Sequence, residues 1–225
     1  MKNCKHTLLA FLCALACHPA AAADKPNILF TSIDDQRPEF GCYGSPLAQT
    51  PHIDRLAADA MLFQRAYCQV PVCGASRASL FTGMLPTTTR FASWKSTVEE
   101  DAPNAMTLPQ VFRQAGYTTL ANGKIFHDRY DTEDRSWSEP AWYEIDGRMS
   151  LDPETTRRLS KSRQRGRIYE APDVADEAYP DGQFARKTIA DLRRLKQDGQ
   201  PFFLACGFIR PHLPFYAPKR YWDLY

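Results

Sequence analysis

Hydrophobic positions along the 225-residue chain alternate between short unbroken runs and spaced, helix-like patterns. NILFTSI, Asn27 to Ile33, is a short apolar run between Pro26 and the polar DDQRP, which predicts a buried strand ending on Asp34 and Asp35. TPHIDRLAADAMLF follows, with Pro51 near a helix start and Ile53, Leu56, Ala57 and Ala60 on one face; a short strand is expected at Phe63 to Tyr67. QVPVCG reads as a loop running into the helix ASRASLFTG, which Gly83 closes. Thr107 caps LPQVFRQAG, a helix ending at Gly116, and Tyr117 to Asn122 is strand-like and leads into GKIFH. From Asp128 to Asp181 no long period survives, and the segment reads as an insertion over the sheet edge. DGQFARKTIADLRRLKQDG is the clearest helix, with Ala185, Ile189, Leu192 and Lys196 on one face, Asp181 capping its start and Gly199 its end. The strand PFFLACGF, Pro201 to Phe208, then delivers RPHLPF.

Strands alternating with helices predict an α/β domain with a mainly parallel sheet and helices on both faces. In such sheets the ligand crevice lies beyond the carboxyl ends of the strands. Asp34 with Asp35, Cys73 with Arg77, Lys124 with His127, and His212 all fall at such ends or in the adjoining loops. That coincidence marks a candidate site.

Composition narrows the setting. MKNCKH followed by the apolar TLLAFLCALAC and the small residues of HPAAAAD reads as a secretory signal over residues 1–23, cleaved after Ala22 or Ala23. Lipidation at Cys17 is the alternative, disfavoured because Ala14 stands where a large aliphatic residue is wanted. The apolar run is too short to span a bilayer, which takes about 20 residues, so no membrane span is expected and the protein belongs in the periplasm or outside the cell. Loss of Lys2 and Lys5 with the signal leaves 26 basic and 26 acidic residues, which gives no reason to expect nucleic-acid binding. The basic stretch RRLSKSRQRGR, Arg157 to Arg167, is either a solvated loop or a surface for an anionic polymer. Four cysteines remain, Cys42, Cys68, Cys73 and Cys206, with neither metal-finger spacing nor a dense disulfide framework.

Each candidate group also has an ordinary structural reading. Adjacent carboxylates at Asp34 and Asp35 repel unless a cation joins them, and hard oxygens suit calcium or magnesium; the same pair is equally a turn or a helix cap. Two carboxylates do not complete a calcium shell, which takes about six to eight oxygens. Cys73 at a helix start sits where unpaired N–H groups favour an anion, and Arg77 one turn on can present its fork to sulfate or phosphate. A buried cysteine beside a surface arginine is the alternative. Lys124 and His127 are three residues apart and can face one crevice or serve a turn, while the flanking prolines stiffen the segment that carries His212.

The ordered blocks PNILF, DDQRPEFGCYG, TPHIDRLAADAMLF, CGASRASLFTG, GKIFH and RPHLPF together resemble the N-terminal half of the type I, formylglycine-dependent sulfatases, nearest to the iduronate-2-sulfatase group and its bacterial relatives. The resemblance implies an alkaline-phosphatase-like α/β fold, hydrolysis of sulfate esters on a sulfated saccharide, and one bound calcium ion. It implies that a formylglycine-generating maturase oxidises Cys73 to an aldehyde, one oxygen of whose hydrate attacks sulfur and displaces the alcohol, giving a covalent sulfate that the second hydroxyl expels as the aldehyde re-forms. By the same resemblance Asp34, Asp35 and the group made from Cys73 bind calcium, and Arg77 stabilises the hydrated nucleophile. Lys124 and His127 hold nucleophile and sulfate oxygens, and His212 contacts sulfate or protonates the leaving alcohol. Two departures stand out. Ala75 replaces the proline of the usual modification signal, as in some bacterial members, and the family's later Asp and Lys blocks have no counterpart before Tyr225, so residues 24–225 are expected to form a truncated catalytic domain with weak or absent activity. Two alternatives remain: a phosphomonoester or phosphonate hydrolase of the same superfamily, and a non-catalytic binder of anionic polysaccharide.

Overall fold

The structure is a computed structural model, and it describes residues 25–143, 150–152, 157 and 167–225. The expected signal segment and most of the basic stretch lie outside the described residues. Three strands, β1 (Ile28–Ile33), β2 (Thr118–Gly123) and β4 (Phe202–Phe208), form a parallel sheet in the order β1-β4-β2. A separate two-stranded parallel pair joins β3 (Tyr169–Glu170) to β5 (Phe215–Tyr216).

The central strand explains the layering. Side chains alternate across a strand, so Phe203 and Ala205 of β4 face one way and Phe202, Leu204 and Cys206 the other. On the first face they pack with Ala75, Ala78 and Phe81 of helix α2 (Cys73–Thr82), with Phe91, Val98 and Trp137, and with Phe112 of α4 (Leu108–Gln114). On the second, Leu204 and Phe202 meet Leu192 and Leu195, and Cys206 meets Phe184, all from the long helix α6 (Pro180–Asp198). Each large apolar side chain fully buried here, such as Phe81, Phe184, Phe203 or Leu204, contributes about 1.5–3 kcal/mol, and both faces of β4 are covered. The described residues also form the short helices α1 (Pro51–Ala58), α3 (Val98–Asp101) and α5 (Glu133–Ser136) and a last turn of helix at Lys219–Trp222.

Local signals account for three of the helix ends. Thr107 and Gln110 form a capping box at the start of α4, and Gly83 and Gly199 close α2 and α6 in left-handed conformations. Four expectations are corrected. Residues 63–67 form no strand; Phe63 and Tyr67 are exposed and find no ladder partner among the described residues. Helix α1 buries none of its residues, and Leu56, on its expected apolar face, is 69% exposed. In α6 the buried face is Gln183, Phe184, Thr188, Asp191 and Leu195, rotated from the expected set, because a polar cluster substitutes for part of the apolar stripe: the Asn122 amide donates to Asp191 at 2.9 Å and to the Thr188 hydroxyl at 3.2 Å. Asp181 does not cap its own helix either; its carboxylate reaches the loop after β4.

Candidate functional site

Because the three main strands run parallel, their carboxyl ends share one edge, and the loops leaving them converge there. Asp34 follows β1 directly and its N–H donates to the Phe208 carbonyl at the end of β4. Lys124 follows β2, its N–H donating to the Gly207 carbonyl at 2.9 Å. Gly123 makes this junction: its φ is +75°, and a Cβ there would stand 2.3 Å from the Gly207 oxygen. The start of α2 brings Cys73 to the same edge.

Asp34 and Arg77, both buried, form the electrostatic centre. The Arg77 guanidinium donates to Asp34 Oδ1 at 2.9 Å and to the carbonyls of Lys124 and Ile125 at 2.6 Å each, and the Lys124 ammonium bonds Asp34 Oδ2. Burial pushes the Asp34 carboxyl up, but the hydrogen bonds and charges of Lys124 and Arg77 outweigh it and hold the group below the usual carboxylate range. One arginine thus ties the end of β1 to the turn after β2.

Cys73 Sγ lies 3.2 Å from His127 Nδ1. Burial, then the positive charges of Lys124 and Arg77, press the His127 pKa below its ordinary value, so the imidazole is neutral at pH 7. Asp34, Asp35, Cys73, Arg77 and Ser76 line a cavity of about 450 Å³. His212 approaches from the loop after β4, its Nε2 3.8 Å from Asp35 Oδ2 and its Nδ1 2.7 Å from the Leu213 carbonyl. That loop is held by Asp181, whose two oxygens accept the N–H groups of Ile209 (2.8 Å) and Arg210 (2.9 Å), while Arg210 donates to the His212 carbonyl at 2.9 Å. Burial drives the Asp181 carboxyl up despite these bonds.

The sequence-predicted residues therefore meet at one edge: Asp34, Arg77 and Lys124 as one bonded unit, Cys73 with His127 as another, Asp35 with His212 as a third. Asp35 differs from its neighbour, being largely exposed with a left-handed backbone, φ +56°. For calcium the donor chemistry is right and the donor number is short. Among the described residues no group of three or more His, Cys, Asp or Glu side chains could hold a metal, and both oxygens of Asp34 are engaged by cations.

Sequence reasoning missed Trp94. Its carbonyl packs onto the start of α2 so closely that a Cβ on Gly74 would lie 2.1 Å from it, and its ring meets the His127 ring edge-on at 5.7 Å. The neighbouring Ser93 carbonyl accepts the Ala75 N–H at 3.1 Å. Only the Gly74 in CGASR hints at so close an approach.

The sulfatase family model matches residues 26–225. Human iduronate 2-sulfatase is 36% identical over 212 residues, covering 91% of this chain and 38% of the human protein. A sulfatase of Formosa agariphila is 34% identical over 251 residues, covering 98% of this chain and 47% of its own. The phosphonate monoester hydrolase of Agrobacterium radiobacter shares the fold with a TM-score of 0.59 at 24% identity, over 89% of this chain and 44% of that structure. The chain spans less than half the length of these relatives, and the fold is the expected alkaline-phosphatase-like α/β arrangement.

Proposed function

The chain belongs to the sulfatase family, and we propose that residues 24–225 are the N-terminal part of a catalytic domain that hydrolyses sulfate esters of saccharides, exported by a signal at residues 1–23. The observation that carries this reading is the Cys73–His127 contact of 3.2 Å beside the Asp34, Arg77 and Lys124 unit. A thiol at a helix start, in contact with a neutral imidazole and lining one cavity with Arg77, is placed for chemistry on an anionic ester. The name of the human relative favours a uronate sulfate as substrate.

In this reading a maturase converts Cys73 to formylglycine, whose hydrate supplies the nucleophilic oxygen. His127 Nδ1, neutral and adjacent, holds that oxygen and takes its proton. Lys124 presents its ammonium to a sulfate oxygen while sharing Asp34, and Arg77, bonded to Asp34 and to the Lys124 carbonyl, fixes the position of both. His212, its Nδ1 held by the Leu213 carbonyl, protonates the leaving alcohol through Nε2, and Asp181 and Arg210 hold its loop. Asp34 and Asp35 would supply two carboxylates of a calcium shell that other oxygens and the Cys73-derived group complete; the ion would add positive charge beside the sulfate.

The phosphonate monoester hydrolase that shares the fold makes phosphorus esters the second reading. Matched sulfate and phosphate monoesters, offered to the full-length protein from a host with a maturase, separate the two. Preference for sulfate, abolished by Cys73→Ala, is expected; preference for phosphate by orders of magnitude would overturn the assignment.

A further inference from the structure

A second cavity, of about 460 Å³, lies beside the nucleophile's own and is lined by Phe126, His127, Asp128, Arg129, Tyr130 and Tyr143. His127 joins the two: its ring lines this cavity while its Nδ1 touches Cys73, which lines the first. Tyr130 is 61% exposed, and Arg129 lies over its ring, 4.5 Å from the centroid. Trp94, itself 54% exposed, carries Lys95 over its face at 5.3 Å and rests edge-on against His127. The one carboxylate of the cavity, Asp128, is used internally, accepting the Tyr130 N–H at 3.0 Å. The imidazole is thus bordered by two exposed aromatic rings, each paired with a cation, a combination suited to an apolar sugar face bearing an acidic substituent.

We propose that this cavity is a subsite for the saccharide unit next to the sulfated one, with Tyr130 as its stacking face and Arg129 as the partner of a carboxylate or sulfate on that unit. The inference rests on the saccharide sulfatase reading and deepens it: the substrate is an acidic oligosaccharide engaged over at least two units. Hydrogen bonds and ion pairs made by the neighbouring unit add to binding without touching the reacting sulfur.

Calorimetric titration of the full-length Cys73→Ala protein, which cannot turn over, tests it with two probes: a sulfated uronate monosaccharide and the disaccharide that adds one uronate-bearing unit. The disaccharide is expected to bind about tenfold more tightly, a gain that Arg129→Ala and Tyr130→Ala each remove while leaving monosaccharide affinity within about twofold. Tyr130→Phe keeps the ring and loses only the hydroxyl that accepts from Arg129, and it is expected to retain the gain, which assigns that gain to the ring face. Equal affinity for the two probes, or a gain that survives both alanine variants, overturns the subsite while monosaccharide binding leaves the sulfatase reading intact. If neither probe binds, both readings fall.

Discussion

Replacing Arg77 by methionine keeps an apolar stem and removes the guanidinium that joins β1 to the turn after β2. In a side chain only 9% exposed, that group serves Asp34 at 2.9 Å and two carbonyls at 2.6 Å. Breaking a buried ion pair from one side costs about 3–5 kcal/mol, and a buried carbonyl deprived of its donor about 1–3 kcal/mol. The sum is not reached, because Asp34 keeps Lys124 and water can enter the vacated volume. A loss of about 4 kcal/mol is expected, close to a thousandfold in the folding equilibrium. Urea unfolding of the full-length protein, followed by tryptophan fluorescence, reads it. Arg77→Lys retains the charge but cannot span three acceptors, and should lose about half as much. Arg77→Met combined with Asp34→Asn should fall short of the additive loss by at least about 1 kcal/mol, since the two side chains share one interaction. A methionine variant within about 1 kcal/mol of the parent, or strict additivity, would refute the reasoning.

Gly74→Ala places a Cβ against the Trp94 carbonyl and should destabilise by about 1–3 kcal/mol, seen as a lowered melting temperature, with the Ser93–Ser96 loop shifted. Ala75→Pro restores the family's usual residue but removes the N–H that Ser93 accepts, so about 1 kcal/mol of stability should be lost in thermal melts. Asp131, which accepts the N–H groups of Val98 and Glu99, has its carboxyl pushed up by burial; its contribution is complete below the unfolded value near pH ~4 and is lost as pH rises through the native value. The stability of the parent relative to Asp131→Asn, from melts across that range, should therefore fall with rising pH; a flat difference would contradict this.

Much of the architecture was legible from local rules. The apolar runs of β1, β2 and β4 are recognisable because a buried parallel strand needs no alternation, and the capping box at Thr107 and the glycines at 83 and 199 fix helix ends by backbone chemistry alone. The site residues could be placed because parallel topology sends every strand's carboxyl end to one edge. Four kinds of information were not local. The buried face of α6 turns on Thr188 and Asp191 satisfying Asn122 of a strand 66 and 69 residues away in sequence, which hydrophobic periodicity cannot register. The stripe on α1 fits a helix but finds nothing to pack against among the described residues, so the period predicted the element and not its burial. Asp181 looked like a cap because it stands at a helix start, whereas its carboxylate is satisfied by two N–H groups of the His212 loop. Trp94 reaches the site only because its carbonyl docks on Gly74.

The most direct test of the account is the mass of the proteolytic peptide that contains Cys73, from full-length protein made in a host with a formylglycine-generating maturase. The peptide is expected to be lighter than the thiol form by the difference between a CH₂–SH group and an aldehyde, reactive with hydrazides and absent from Cys73→Ala. An unmodified thiol in every such peptide would contradict it and leave the site a binder of anions.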